Sequence, residues 1–272
     1  MSIRFKDEGS VDVGGPFREA MTSICKELIS TILPLLIPTP NNKNNHGQYR
    51  ECWMVNPSST SPSHLELFKF FGIFIGHAIR SQQAMPLELA PIFWKLLLQE
   101  TGQGVQSDKD NEQDLKAFDT FSWKALDNLR LNGKQLTEET FEDGVDEYFV
   151  TILSNGAQVE LCTGGKSKRV TKQNFEEYFN LVVNVRLTES DKQMRAIREG
   201  LNFIIPLQIC DMLNWQIVEV RATGTKTIDV EKLKAITSYS VSVLHYDYHC
   251  LVMRKRRQDC EDLLAGAGEL FR

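Results

Sequence analysis

The stretch SHLELFKFFGIFIGHAIRSQQ, residues 63–83, leaves this chain few folds to choose from. Apolar residues occupy nearly every face of the helix it would form, so that helix belongs at the centre of the structure, covered on all sides. Ser63, followed three residues later by Glu66, predicts a capping box at its start. Gly72 and Gly76 stand four apart despite the cost of glycine inside a helix, a spacing that lets a second helix approach closely. His77 has two readings, a catalytic base or a core histidine. No cysteine or acid lies at helical spacing beside it, which favours the core. The most apolar part, 67–79, is too short to cross a bilayer and carries Lys69.

Helical segments surround this one. Between Phe17 and Leu36 apolar residues fall at 17, 20, 21, 24, 28, 32 and 35, predicting one long amphipathic helix opened by Gly14, Gly15 and Pro16. PTPNNKNNHG at 38–47 reads as a polar loop, and PIFWKLLLQE at 91–100 as a further helix. The polar, acidic segment 101–118 reads as a linker into a different subdomain, followed by a helix over 119–131 that Asn132-Gly133 ends. EYFVTIL and AQVELC flank Ser154-Asn155-Gly156, a hairpin signal. Asn174 with Glu177 predicts the cap of the next helix, DKQMRAIREGLNFI gives another that Pro206 breaks, and LQICDML begins one more. Asp229 caps a short helix within 227–239. The expected fold is α+β and mainly α-helical: a large helical subdomain interrupted at about 101–172 by a small α/β subdomain.

The function classes narrow by exclusion. A net charge of −5 argues against nucleic acid as the main partner, and no stretch implies a membrane. Six cysteines at 25, 52, 162, 210, 250 and 260 form no C-x-x-C pair and read as reduced thiols of a cytoplasmic protein. The opening MSIRFKDEGS lacks the apolar run of a secretory signal. RKRR at 254–257 is a solvated patch, or alternatively a nuclear-import signal or a site for an acidic partner. GGKS at 164–167 resembles the end of a phosphate loop, but Glu160 stands where that motif needs glycine. GQGVQS has Ser107 in place of the third glycine of a dinucleotide site, so both stretches are turns. No cofactor and no metal site are expected.

Several motifs, in order, carry a resemblance: RFKDEGSVDVGGPFREAMTSICKEL, NPSS, FKFFGIFIGHAIRSQQAMPLELAPIFWKLL, ELCTGGKSKRVTKQNFEEYFNLVVNVRL, DKQMRAIREGLNFIIP and IDVEKLKAITSY. They resemble the N-terminal lobe of HECT ubiquitin ligases, most closely the large ones with RCC-like repeats and their relatives. Gly14, Gly15, Arg18, Glu19, Gly76, Ala78, Arg80, Pro86, Trp94, Lys95, Gly165, Tyr178, Gln193 and Gly200 stand where that pattern expects them. The resemblance implies a ubiquitin-protein ligase that takes ubiquitin from a conjugating enzyme as a cysteine thioester and passes it to a substrate lysine, because a thiolate suits attack on an activated acyl group. It also implies partners: a ubiquitin-conjugating enzyme, ubiquitin and unspecified substrate proteins. Docking of the conjugating enzyme falls to the small subdomain. There Leu126, Leu129, Phe149 and Ile152 either line an apolar groove or form the subdomain's own core.

The pattern stops after Tyr239, where the family places a hinge and a catalytic lobe. Segment 240–272 matches neither, no cysteine follows a threonine, and the family nucleophile is not identifiable. HYDYHC at 245–250 offers a cysteine with a neighbouring histidine, but adjacency in sequence supplies neither an aligned base nor a recognised metal spacing. Two expectations remain. The chain is a ubiquitin ligase in an incomplete or inactive form, or a non-catalytic module or decoy that binds a conjugating enzyme.

Overall fold

The computed structural model describes residues 15–98, 108–210, 212–225 and 229–237. The expectations about MSIRFKDEGS, Gly14, HYDYHC, RKRR and the 240–272 tail lie outside these residues. The first helix, α1 (Gly15–Leu28), buries Met21, Cys25 and Leu28. It is shorter than the apolar spacing predicted. Ser30 bonds back to the Glu27 carbonyl and Pro34 follows, so the chain turns; Ile32 is left 82% exposed while Leu35 is buried. Strands β1 (Leu36–Pro38) and β2 (Trp53–Val55) pair antiparallel, with Ile37 opposite Met54. Between them the expected polar loop contains a turn of helix, α2 (Pro40–Lys43), capped by Thr39, with Asn41 buried.

The central helix, α3 (Pro62–Ser81), buries Phe68, Phe71, Ile75 and Ala78 completely. Its cap is Ser61, which accepts from the His64 amide; Pro62 at the first helical position shifts the start two residues upstream of the expected box. His77 is half-buried on this helix. Next come α4 (Pro91–Leu98), α5 (Asp108–Phe118) and α6 (Thr120–Gln135). Most of the expected linker is therefore helix: α5 turns only Leu115 and Phe118 into the core as large apolar residues, a stripe too thin to stand out. α6 runs through Asn132-Gly133, because Gly133 packs on the ring of Phe141, 3.0 Å from where a Cβ would sit.

Helix α7 (Glu138–Gly144) leads to the hairpin β3 (Val150–Ile152) and β4 (Gln158–Glu160), with Val150 opposite Glu160 and Ile152 opposite Gln158. Helix α8 (Phe175–Thr188) lacks the expected side-chain cap. Asn174 instead accepts from the Thr171 amide and donates to the Arg169 carbonyl, while Glu177 pairs with Lys168 at 2.9 Å. Helices α9 (Asp191–Asn202), α10 (Leu207–Cys210) and α11 (Trp215–Thr223) complete this unit. The dominant helix pair is α3 against α9. A Cβ on Gly72 would lie 1.9 Å from the Ile197 carbonyl oxygen, and one on Gly200 would lie 1.9 Å from that of Lys69. The close approach anticipated at Gly72 is real, and Gly200 supplies its other half. Residues from Thr225 onward form a separate unit. Its described part is α12 (Val230–Ile236), capped by Asp229 as expected and burying none of its side chains.

Two cores result. One joins α1, α3, α4, α9 and α11 around Phe68, Phe71, Trp94 and Leu201. The other joins Cys52, Met54 and Ala90 with α5, α6, α7, the hairpin and α8. Two buried residues at positions of the family pattern, or beside them, tie elements together. The Gln193 amide donates to the Asn56 and Pro57 carbonyls at 3.0 Å, and Arg198 donates to that of Leu97.

Candidate functional site

The second core is built around Phe149, whose side chain has no exposure. Its amide donates to the Lys168 carbonyl (2.9 Å), and its carbonyl accepts from the Leu161 amide (2.8 Å). Its ring meets Tyr178 edge-on at 5.6 Å, under the Lys168 ammonium. The Gly164-Gly165 turn closes over this residue. Gly164 has φ 75°, and a Cβ on Gly165 would stand 2.3 Å from the Phe149 carbonyl oxygen. The glycines of GGKS thus serve backbone packing, and the sequence reading of that stretch as a turn holds. Burial pushes the Tyr178 hydroxyl up to about 12, with the Glu147 charge adding to it.

The four proposed docking residues divide. Leu126 is 5% exposed and Phe149 fully buried, and Leu129 packs half-buried against the same core. Ile152 alone points out, at 59% exposure, on a strand whose tip turns through Gly156 at φ 88°. Tyr148 in the same hairpin segment is 37% exposed. On α6, Phe121 and Leu131 are 71% and 51% exposed.

What holds the hairpin was not visible in the sequence. Arg186, 3% exposed near the end of α8, donates through Nη2 to Asp119 Oδ2 (2.9 Å) and Ser154 Oγ (3.0 Å), and through Nε to Glu189 Oε2 (3.3 Å). The Ser154 amide also donates to Glu189 (3.1 Å), and the Lys43 ammonium donates to the Ser154 carbonyl (2.7 Å). Asn155 at the tip bonds Ser58. Burial raises the Glu189 carboxyl above its ordinary range, and the Arg186 charge beside it acts against that rise. Glu189 Oε1 is buried with no partner. Only the Arg186–Glu189 pair, three apart on one helical turn, carried a local signal. Asp119 and Ser154 come from distant parts of the chain.

Alongside, Arg130 bonds Glu112 and Asp127 (both 2.8 Å) and stacks 4.7 Å over the Phe179 ring, so Glu112 holds its guanidinium yet more firmly charged. Lys95 pairs with the buried Asp114, whose carboxyl burial raises and Lys95 opposes.

As for reactive groups, Cys25 is 1% exposed and burial pushes its thiol up to about 12. Cys52 is buried and Cys162 half-buried. Among the described residues no cluster of three or more His, Cys, Asp or Glu side chains is placed to hold a metal, and no helix is long and apolar enough to cross a membrane. The arrangement offers a rigid frame presenting apolar side chains, without a poised nucleophile among the described cysteines.

The HECT-domain (ubiquitin-transferase) profile matches residues 22–253, which reaches past Tyr239. The chain is 31% identical over 237 residues to the E3 ubiquitin-protein ligase HERC2 of Mus musculus, covering 87% of this chain and 5% of that protein. It is 31% identical over 268 residues to the probable E3 ubiquitin-protein ligase HECTD4 of Homo sapiens (91% and 6%). It is 29% identical over 241 residues to the E3 ubiquitin-protein ligase TOM1 of Saccharomyces cerevisiae (88% and 7%). The chain thus spans a small fraction of the length of these curated relatives.

Proposed function

The chain belongs to the HECT-domain (ubiquitin-transferase) family, and on that premise we propose that its small subdomain docks a ubiquitin-conjugating enzyme as one step of ubiquitin transfer to protein substrates. The observation that carries the proposal is the contrast within the hairpin. Ile152 is 59% exposed, while the strand that bears it is anchored by Phe149 beneath and by the Arg186–Asp119–Glu189–Ser154 network at the tip. An exposed β-branched residue on an immobilised strand loses little conformational freedom when a partner covers it. In this reading Leu126, Leu129 and Phe149 form the support of the docking face, and Ile152 makes its apolar contact.

The acceptor of the ubiquitin thioester lies, in our reading, outside the described body. A thiol held near 12, as Cys25 is, carries a negligible thiolate fraction at neutral pH and cannot attack an acyl group. In our proposal the described residues thus serve as the conjugating-enzyme-binding part of a HECT ligase, and Cys25 does not accept ubiquitin.

Isothermal titration of the chain against a panel of purified conjugating enzymes tests this. At least one member binds with one-to-one stoichiometry, and Ile152→Asp weakens it about tenfold while leaving the unfolding midpoint unchanged. Failure of every member to bind, or indifference to Ile152→Asp, would overturn the proposal.

A further inference from the structure

A cleft of about 490 Å³ opens between α2 with the loop after it and the first turn of α6. Asn41, Asn44, His46, Phe121 and Lys124 line it. The function proposed above does not use it, and neither does any motif of the family pattern.

Its walls are fixed. Buried Asn41 accepts from the Thr120 amide (2.8 Å) and donates to the Gln48 and Ala117 carbonyls (both 2.9 Å), sewing the loop to α6. Gly47, at φ 83°, lies so close that a Cβ would stand 2.2 Å from Thr120 Oγ1. Asn45 and Tyr49 hold φ 47° and 50°, left-handed values that a side chain adopts at a cost. The loop is thus kept in one shape by contacts that do not involve the cleft's open side.

The chemistry on that side is one-sided. Lys124 Nζ stands 3.4 Å from His46 Nε2, and neither has a carboxylate partner among the described residues. Of the cations around it, Lys95, Arg130, Lys168 and Arg186 each pair with an acid, whereas Lys43, Arg169 and Lys172 donate to backbone carbonyls. Phe121 presents a ring that is 71% exposed, and the side-chain amide of Asn44 has no partner among the described residues. An ammonium held by an imidazole, with donors left over and no acid partner among the described residues, suits an anion, and an exposed ring beside it suits an apolar or aromatic group.

We infer that this cleft binds an acidic peptide segment of a partner protein. A carboxylate of the segment accepts from Lys124 Nζ, which His46 Nε2 holds in place by accepting a second of its protons, and a neighbouring apolar side chain packs on the Phe121 ring. Charge complementarity makes the assignment: the chain carries net −5, yet the described residues lining this cleft include a lysine and no acid.

The test uses the full chain, ¹⁵N-labelled, titrated with the peptide Ac-Asp-Glu-Phe-Asp-Glu-NH₂ and with its neutral counterpart Ac-Asn-Gln-Phe-Asn-Gln-NH₂. Amide shifts confined to 44–49 and 120–124 with the acidic peptide alone are expected. Lys124→Met and, separately, Phe121→Ser should each weaken binding about tenfold. Both side chains are exposed, and an unchanged thermal midpoint confirms that each variant folds. Equal response to the neutral peptide, or shifts located elsewhere, overturns the inference. Shifts at these residues that grow with protein concentration in the absence of peptide would mean that a second copy fills the cleft, and would overturn it too.

Discussion

Gly72→Ala probes the crossing on which the larger core depends. The new Cβ would stand 1.9 Å from the Ile197 carbonyl oxygen and 2.8 Å from the Leu201 amide nitrogen. A close carbon–oxygen approach is roughly 3.3–3.6 Å, so the two backbones must part by about 1.5 Å. Neither clashing atom belongs to a side chain that can rotate away. Overpacking ordinarily costs about 1–3 kcal/mol, and moving two helix backbones that share Phe68, Phe71, Ile75 and Leu201 raises this to about 4 kcal/mol. Removing a mid-helix glycine returns about 1 kcal/mol, leaving a net loss of about 3 kcal/mol. Two controls bracket this, one mid-helix and one at a helix start. At Gly76 the atoms nearest the Cβ belong to the Ile204 side chain, 2.7 Å away, and at Gly15 no described residue comes within 4 Å of it. Gly76→Ala should cost less than about 1 kcal/mol, and Gly15→Ala should be neutral or stabilising by about 0.4–1 kcal/mol. Urea unfolding at constant slope measures all three. If Gly72→Ala and Gly76→Ala share a midpoint, the backbone contact between α3 and α9 is not what limits their approach.

Arg186→Met leaves Asp119 and Glu189 buried without their cation and should cost about 3–5 kcal/mol at pH 7. Arg186 is what opposes the rise of the Glu189 carboxyl, so its removal raises that group further. The folded state then favours the protonated form, and the loss should shrink as pH falls from 7 toward 5; a pH-independent loss in urea titrations contradicts the assignment. Cys25 is raised in the folded protein from 9.0 to about 12, so it contributes stability that is complete below about pH 9 and is lost as pH climbs toward 12. Cys25→Ala should flatten that alkaline decline in denaturation curves, and the native thiol should resist iodoacetamide at pH 8 until the protein unfolds. Phe149→Ala should cost about 3–5 kcal/mol, whereas Ile152→Asp should leave stability within about 0.5 kcal/mol; equal losses by calorimetry would place Ile152 in the core as well.

The central helix was legible because continuous apolarity and the Gly72–Gly76 spacing are local properties. Its partner was not, since nothing near Gly200 announces that its missing Cβ faces Lys69. Periodicity also overran where it met the chain's own turn chemistry. Ile32 and Leu35 continue the helical spacing of α1, but Ser30 and Pro34 end the helix, and Leu35 is buried from a turn instead. In α5 the error ran the other way, because an acidic segment with two inward apolar residues gives too weak a pattern to separate from loop. At the site, spacing placed Leu126, Leu129, Phe149 and Ile152 on a helix and a hairpin without saying which side of each met solvent. Three turned inward. The Arg186 network was invisible for a simpler reason: its members are brought together from positions 43, 119, 154 and 186–189 by the fold alone.

The most direct measurement of the proposed function is to mix the chain with a conjugating enzyme charged with ubiquitin, reading binding and thiol-sensitive transfer in the same sample. We predict saturable binding that Ile152→Asp weakens about tenfold, with no ubiquitin adduct on this chain that a reducing agent removes. A reducible adduct that disappears in Cys250→Ser, or binding indifferent to Ile152→Asp, would contradict it.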